Sequence, residues 1–269
     1  LNLRSGFVLD SLPGWAEVIA LPQAEKKRAL MDPAVRRRLD ERANSDEAGV
    51  MRALAQWGNI TIAETFAPEH AGLAGRTVAE IAAECGKAPF DCLLDLAVEE
   101  DLRLSFMPFI PGDDAESWKM RAEVWRDPRT VVGASDAGAH LDMINTFSYS
   151  TALLGPAVRE RGLLDLEEAV RQLTDVPARL YGLRERGRVA VGWHADLTVF
   201  DADRVGHGEI YTRDDLPGGA SRLYADATGI DHVVVAGDPI IRDGQRTGRR
   251  PGRVLRSGRD TETVAIPGA

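Results

Sequence analysis

Two residues whose side chains can exchange protons, Asp136 and His140, lie in the segment TVVGASDAGAH at residues 130–140. The segment begins with a β-branched run, Thr130 to Val132, which predicts a short buried strand, and its small residues then predict a loop. In parallel α/β folds ligands bind beyond the carboxyl ends of the strands, so a carboxylate placed there is positioned for proton transfer. Asp136 is therefore the first catalytic candidate. The structural alternative is an aspartate that caps a turn or the next helix.

The residues that could bind a metal ion are few and widely spaced. The histidines are His70, His140, His194, His207 and His232, and the cysteines are Cys85 and Cys92. They form no HxH, HExxH or CxxC pattern, whereas a catalytic zinc ion usually has three protein ligands. The sequence therefore predicts that this chain does not complete a zinc site by itself, and structural roles are favoured for the histidines other than His140.

The first half of the chain predicts helices alternating with strands. The predicted strands are residues 59–66, 102–109 and 130–132, and the predicted helices lie within residues 23–57, 77–85, 90–98 and 115–125. Pro111 and Gly112 are predicted to close the second strand, and Thr77 with Glu80 predicts a capping box at a helix start. This alternation is typical of α/β folds.

Further along, residues 141–154 are apolar and partly helical in pattern, with Gly155 and Pro156 predicted to end that helix. Asp165 with Glu168 predicts a second capping box. From Gly187 onward the period becomes strand-like, and Gly237 with Asp238 predicts a turn between two apolar runs. We therefore expect an antiparallel β module, with domains at residues 1–183 and 184–269.

The number of strands predicts an incomplete sheet. About three strand-plus-helix units lie between Asn59 and Thr130, whereas a closed (βα)8 barrel needs eight. An open sheet would leave backbone groups unpaired, so further polypeptide is expected to complete it. The chain also begins at Leu1 without methionine, which suggests a processed product or part of a longer polypeptide.

Composition limits the classes of partner. Lys and Arg total 33 and Asp and Glu total 42, so the net charge is 33 − 42 = −9, which argues against nucleic acid or an anionic membrane surface. The arginines at positions 246, 249, 250, 253 and 256 could hold an anion, but a solvated terminal strand is favoured. No apolar run reaches the roughly 20 residues of a membrane span, and the two cysteines suggest free thiols. A cytoplasmic location is expected.

Three segments resemble a known family. They are GASDAGAHLD at 133–142, TDVPARLYGLRERGRVAVGWHADLTVFDADRV at 174–205 and GIDHVVVAGDPIIRDGQRTGRRPGRVLR at 229–256, with weaker likeness at 75–96. Together they resemble the amidohydrolase superfamily and, within it, the N-acyl-D-amino-acid deacylase (D-aminoacylase) group, over its C-terminal half only. The resemblance implies the C-terminal part of a metal-dependent (βα)8 TIM barrel at residues 1–183, followed by strands of a small β-sandwich at 184–269.

The resemblance also implies a chemistry. Asp136 matches the aspartate after the eighth barrel strand, which accepts a proton from a zinc-activated water and then protonates the leaving amine. Asp136 is also a possible metal ligand. His140 is a substrate-binding candidate that could instead steady Asp136, and a plain hydrogen bond to the loop backbone is the structural alternative. One or two zinc ions are expected, with most ligands in the N-terminal half of the same enzyme, which is the expected partner.

The expected reaction is hydrolysis of a small-molecule linear amide, an N-acyl-D-amino acid. Cleavage of cyclic amides, as in dihydropyrimidinases, is one alternative. A catalytically inactive remnant of the fold that binds a partner or ligand is the other. The sequence is compatible with an oligomer and does not determine the oligomeric state.

Overall fold

The computed structural model describes residues 1–109, 112–133, 135–136 and 138–265. The chain divides into two compact units, Leu1–Pro111 and Gly112–Ala269. The predicted division between residues 183 and 184 stays a prediction. Among the described residues, no helix has the length and apolar character needed to cross a membrane. The content is mixed helix and strand, which confirms the α/β class at this coarse level.

The first unit is mainly helical. Its α-helices are α1 (Ala16–Ile19), α2 (Gln23–Met31), α3 (Pro33–Ala43), α4 (Val78–Cys85) and α5 (Pro89–Glu99), and its 3-10 segments are Leu9–Ser11, Asp46–Ala55, Trp57–Asn59 and Pro68–His70. The predicted capping box is confirmed, because Glu80 N–H donates to Thr77 Oγ1 and Thr77 N–H donates to Glu80 Oε2. Gly86 ends α4 at φ 64°, a left-handed conformation that glycine adopts without strain.

Two short strands, β1 (Thr61–Glu64) and β2 (Ser105–Met107), confirm the first two predicted strands. They pair antiparallel, with Ile62 opposite Phe106, whereas neighbouring barrel strands are parallel. Every strand pair among the described residues is antiparallel. The barrel therefore stays a prediction. Pro111, which was predicted to close the second strand, lies outside the described residues.

A single apolar cluster holds the first unit together. At its centre, Trp57 lies 5.5 Å from Trp15 and 4.8 Å from Phe90 between ring centroids. The Trp15 indole N–H donates to the Leu39 carbonyl at 3.0 Å, which satisfies the only polar atom of a side chain that is 1% exposed. The aromatic rings thus fix α3 and α5 against the start of the chain.

The second unit begins with helices packed around a smaller apolar cluster. They are α6 (Ala115–Arg126), α7 (Tyr149–Ala152), a π-helix at Leu153–Glu160, α8 (Leu166–Leu173) and α9 (Asp175–Leu180), with a 3-10 segment at Thr146–Ser148. The buried members of the cluster are Leu153, Leu154, Ala157, Leu164, Ala169 and Val205.

The prediction that Gly155 and Pro156 end a helix is wrong, because the π-helix continues through both. Packing of Leu154 and Ala157 into the apolar cluster stabilises the helical turns on either side of the proline. Gly155 instead allows the backbone at Val205 to pack closely against the helix. A Cβ there would lie 2.9 Å from the Val205 carbonyl oxygen, a distance that only glycine avoids.

The second predicted capping box is also wrong. Asp165 occupies the residue before α8, but its side chain makes no capping hydrogen bond. Glu168 accepts hydrogen bonds from Arg171 and Gln172 instead. Charge-assisted bonds from a guanidinium are stronger than a bond to a single backbone amide, so they determine the Glu168 rotamer.

The strand predicted at residues 130–132 is absent from the structure, where this segment follows α6 without strand pairing. Val131 is 41% exposed, and Val132 packs on the second apolar cluster. A β-branched run favours extended backbone, but a strand also needs a neighbour that accepts and donates its ladder hydrogen bonds. No described segment supplies that neighbour.

The predicted β module follows. Its strands are β3 (Leu197–Phe200), β4 (Gly206–His207), β5 (Tyr211–Leu216), β6 (Ala220–Tyr224), β7 (Ala227–Thr228), β8 (Ile230–Val235), β9 (Asp238–Arg242) and β10 (Gln245–Arg246). A four-stranded sheet has the order β10-β9-β8-β3, and β4 with β7 and β5 with β6 form separate antiparallel pairs. The turn predicted at Gly237 and Asp238 is displaced by one residue. It lies at Ala236 and Gly237, both at positive φ, and Asp238 begins β9 opposite Val235. Assembly of these strands into a β-sandwich stays a prediction.

Candidate active-site loop

The loop that carries Asp136 and His140 has unusual backbone geometry. Asp136 has φ 48°, His140 has φ 47° and Gly138 between them has φ 105°. Left-handed backbone is uncommon outside glycine, and such residues concentrate at functional sites, where surrounding contacts hold them in place. Ala134 and Ala137 of the predicted motif lie outside the described residues.

Hydrogen bonds within the loop explain this geometry. Ala139 N–H donates to the Asp136 carbonyl at 2.9 Å, which closes a tight turn directly after the carboxylate. The His140 carbonyl accepts from the amides of both Met143 and Ile144, each at 3.0 Å. Two consecutive turns therefore place Asp136 and His140 at their first positions.

Two residues from outside the turns fix the loop. The Thr146 hydroxyl donates to the Ser135 carbonyl, and Leu223 N–H of β6 donates to the Leu141 carbonyl at 2.7 Å. The sequence analysis did not identify Thr146 or Leu223. No sequence signal identifies them, because both contacts go to backbone carbonyls and one partner is far along the chain.

The side chains of Asp136 and His140 are both exposed. An exposed carboxylate in a fixed loop can accept a proton from water and return it to a leaving group. An exposed imidazole can donate to or accept from a polar substrate group. The structure thus brings the two predicted residues into one loop, with Asp142 as the nearest further carboxylate in sequence.

These residues do not make a complete metal site. A catalytic zinc ion needs three protein ligands, and Asp136 with His140 supplies two. Within residues 1–109, 112–133, 135–136 and 138–265, no group of three or more His, Cys, Asp or Glu side chains could hold a metal ion. The role of Asp136 as a metal ligand stays a prediction.

His70 has a structural environment in the first unit. Its Nδ1 lies 2.8 Å from Glu100 Oε1, and its Nε2 lies 3.1 Å from Glu99 Oε2. The Glu100 side chain is 0% exposed and also accepts from the amides of Phe66 and Ala67. His70 therefore ties the end of α5 to the loop after β1.

The other three histidines lie in the second unit, where two of them contact backbone atoms through the imidazole ring. The third, His194, donates from its backbone amide to the Glu185 carbonyl at 3.1 Å. The His207 ring Nδ1 lies 2.8 Å from the Gly208 carbonyl oxygen, and His232 Nδ1 accepts from the Asp243 amide at 3.2 Å. The structural roles favoured from sequence for these three histidines stay predictions.

The C-terminal arginines are exposed, as predicted for a solvated segment. Arg249 Nη2 lies 2.8 Å from Asp238 Oδ1, and Arg253 Nη2 lies 3.4 Å from Asp260 Oδ1. Part of the positive charge is therefore compensated locally by carboxylates of the same unit.

Comparison with known proteins gives partial matches. The chain is 41% identical over 133 residues to N-acyl-D-glutamate deacylase of Alcaligenes xylosoxydans xylosoxydans, which covers 49% of this chain and 24% of that protein. It is 30% identical over 187 residues to D-aminoacylase of the same organism, which covers 68% of this chain and 34% of that protein. The chain thus spans about a third or less of the length of these curated relatives.

Among solved structures, N-acyl-D-glutamate deacylase from Bordetella bronchiseptica, complexed with zinc and a phosphonate inhibitor, is 28% identical. That match has a TM-score of 0.43 and covers 77% of this chain and 39% of that one. The sequence profile described as "Amidohydrolase family" matches residues 32–241. The resemblance drawn from the sequence is therefore confirmed, and this chain belongs to the amidohydrolase family.

Proposed function

We propose that this chain is the C-terminal portion of a zinc-dependent amidohydrolase that cleaves a linear amide, an N-acyl-D-amino acid. The observation that carries the proposal is the exposed Asp136 carboxylate in a loop fixed by Thr146 and Leu223, within a chain of this family. Relatives named as deacylases of N-acyl-D-glutamate and N-acyl-D-aspartate support the substrate class.

In the proposed reaction, water attacks the amide carbonyl carbon, forming a C–O bond, and Asp136 accepts the proton that the water loses. The C–N bond then breaks, and Asp136 returns the proton to the leaving amine. His140 contacts a polar group of the substrate from the same loop. Zinc, when bound, would lower the pKa of the attacking water.

Zinc, as one or two ions, is proposed from the family resemblance. Since the described residues hold no cluster of three potential ligands, we propose that most ligands come from the N-terminal half of the same enzyme. The same polypeptide would supply the missing strands of a (βα)8 barrel.

The exposed apolar side chains of β3 support a further segment packed on the sheet. Leu197 and Val199 are 37% and 48% exposed, although they belong to a four-stranded sheet with an apolar composition. Sheet faces with such residues are normally covered. We propose that strands of a β-sandwich cover them.

The test uses the complete gene product that contains this chain. Replacing Asp136 with asparagine should lower kcat for N-acyl-D-amino acids by about a thousandfold, within the range of general acid and base catalysis, and leave bound zinc unchanged by elemental analysis. Asp142→Asn, in the same loop, is the matched control. Activity of Asp136→Asn within about tenfold of wild type would overturn the assigned role.

The same assay distinguishes the two alternatives. Faster hydrolysis of dihydrouracil than of any linear amide would identify a cyclic-amide hydrolase. A folded, complete gene product that hydrolyses neither class would identify a binding remnant of the fold.

A further inference from the structure

A cavity of about 280 Å³ in the second unit shares no described lining residue with the active-site loop. All of its described lining residues have ionisable side chains. They include four arginines, at positions 184, 186, 253 and 259, and two carboxylates, Glu185 and Asp260. Most small-molecule sites are lined by apolar side chains with a few polar groups, so this lining points to a charged ligand.

Backbone hydrogen bonds between two distant segments hold the walls of the cavity. Glu262 N–H donates to the Gly182 carbonyl at 2.8 Å, and Arg184 N–H donates to the Asp260 carbonyl at 3.2 Å. A Cβ at Gly182 would overlap the Glu262 carbonyl oxygen, so glycine is required for this approach. The lining side chains of the two segments are therefore attached to a fixed backbone.

Two of the arginines share one carboxylate, that of Asp260. Arg259 Nε donates to Asp260 Oδ2 at 2.9 Å, and Arg253 Nη2 lies 3.4 Å from Asp260 Oδ1. The hydrogen bond from Arg259, followed by that from the Arg256 amide, lowers the pKa of the Asp260 carboxyl from 3.8 to about 2. Asp260 is therefore ionised near neutral pH, and its single negative charge faces two guanidinium charges.

The other two arginines differ in their partners. Arg186 forms an ion pair with the Asp196 carboxylate, which also accepts from the Ala236 amide at 2.8 Å. Arg184 is exposed, and within the described part of the chain it forms no ion pair with a carboxylate. The Arg184 guanidinium is therefore available to a ligand.

The cavity has an excess of positive charge, although the net charge of the whole chain is −9. Its four guanidinium groups face the carboxylates of Glu185 and Asp260 in the lining and that of Asp196 beside it, so one positive charge remains. The side chains of Arg253 and Arg259 are 58% and 59% exposed, which leaves them room to turn toward a ligand. An anion would complete the charge balance.

A phosphate group suits this lining better than a carboxylate does. A phosphate monoester carries about 1.5 to 2 negative charges near pH 7 and three strong acceptor oxygens, so several guanidinium groups can donate to it at once. A carboxylate has one charge and two oxygens. The cavity volume is near the lower end of the range for small-molecule sites, so the ligand is small.

We propose that this cavity binds the phosphate group of a small molecule, with Arg184, Arg253 and Arg259 as the donors. The site is separate from the proposed reaction, because its described lining residues lie outside the loop that carries Asp136. Inorganic phosphate and a small phosphate monoester present the same chemistry to these arginines, so both are used as probes.

The first test is isothermal titration calorimetry of the complete gene product with inorganic phosphate, glycerol 3-phosphate and acetate at one ionic strength. At least one phosphate compound should bind with a Kd of about 1 mM or lower, and acetate should not bind. If glycerol 3-phosphate binds about tenfold or more tightly than inorganic phosphate, the ligand is an ester; otherwise it is inorganic phosphate. Absence of binding by both, or equal binding of acetate, would overturn the proposal.

The second test removes one guanidinium from the cavity. Arg184→Gln should weaken phosphate binding by about tenfold or more, because it removes charge-assisted hydrogen bonds. Arg249→Gln, at a 61% exposed position that pairs with Asp238 outside the cavity, removes the same charge and should keep the wild-type affinity. Phosphate bound elsewhere, for example at zinc in the active site, would bind Arg184→Gln as it binds wild type. Unchanged affinity in Arg184→Gln would therefore overturn the proposal.

A third test changes affinity in the opposite direction, which a loss of folding could not do. Glu185→Gln removes a negative charge from the lining and should tighten phosphate binding by about threefold or more. Glu167→Gln, an exposed position on α8 outside the cavity, is the matched control and should leave the affinity unchanged. Weaker or unchanged binding in Glu185→Gln would contradict the site. Amide hydrolysis without phosphate binding would overturn the site and leave the proposed function standing, and phosphate binding without hydrolysis would do the reverse.

Discussion

The Leu223 amide donates a hydrogen bond to the Leu141 carbonyl at 2.7 Å, so a β-hairpin far along the chain holds the loop that carries Asp136. In register with β5, Leu223 lies opposite Thr212, and its N–H points away from that strand toward the loop. The free edge of β6 is thereby used to position a candidate catalytic residue. Orientation of a reacting group within a fixed frame is a major contribution to catalysis.

The Thr146 hydroxyl, which donates to the Ser135 carbonyl, should matter more for turnover than for stability. Thr146→Val removes this bond with little change in shape, so we expect a loss of about 1 kcal/mol in the free energy of unfolding. We expect kcat of the complete gene product to fall about tenfold, because Asp136 directly follows the released carbonyl. Steady-state kinetics and urea unfolding measure the two effects.

Thr151→Val is the matched control for Thr146. The Thr151 hydroxyl donates to the Ser148 carbonyl at 2.9 Å, outside the active-site loop. It should show a similar loss of stability and an unchanged kcat. Equal losses of kcat in both variants would contradict a specific positioning role for Thr146.

Local features of the fold were predictable because their partners are close in sequence. The Thr77–Glu80 capping box and the turn before β9 each depend on residues within one turn of backbone. The Asp165–Glu168 pair has the same spacing and fails, because Arg171 and Gln172 also reach Glu168. Spacing identifies which bonds are possible, and competing partners decide which bonds form.

The active-site loop was predictable only in part. The type and position of Asp136 indicated a candidate, but the strand expected before it needs a hydrogen-bonding neighbour that the described chain does not supply. The hydrogen bonds that Thr146 and Leu223 donate to the loop carbonyls depend on how separate segments fold together. Neither a threonine nor a leucine in a sequence indicates such a contact. Strand propensity is a property of neighbouring residues in sequence, whereas contacts with other segments hold the loop around Asp136 in place.

Glu100 should be essential to the stability of the first unit. Its carboxylate is 0% exposed and binds His70 and the amides of Phe66 and Ala67. Glu100→Gln keeps the size but removes the charge, so we expect a loss of about 2 kcal/mol in the free energy of unfolding. Glu99→Gln, whose side chain is 58% exposed and contacts the same histidine, should lose less than about 1 kcal/mol. Equal losses in urea unfolding would contradict this difference.

A substitution at Ala236, in the turn between β8 and β9, should increase the stability of the protein. Ala236 has φ 51° and precedes Gly237 at φ 84°, which is the backbone of a type I′ turn. Alanine is strained at positive φ, and Asn-Gly is the preferred pair, so Ala236→Asn should raise the free energy of unfolding by about 0.5–1 kcal/mol. The Asp243–Gly244 turn already has a tolerant residue at φ 51°, so Asp243→Ala should lower stability. Thermal unfolding checks both directions, and a lower Tm for Ala236→Asn would refute the argument.

Glu168 should make stability fall in acid. Hydrogen bonds from Arg171 and then Gln172 lower the pKa of its carboxyl from 4.5 to about 2. Because the folded pKa is depressed, the stabilisation is present above the unfolded pKa near 4.5 and is lost as pH falls toward about 2. Glu168→Gln should therefore reduce the loss of unfolding free energy between pH 5 and pH 3, relative to wild type. Glu167→Gln, an exposed neighbour on α8, should retain the wild-type loss in urea titrations at the two pH values. A wild-type pH dependence in Glu168→Gln would show that the carboxylate contributes through shape and not through its charge.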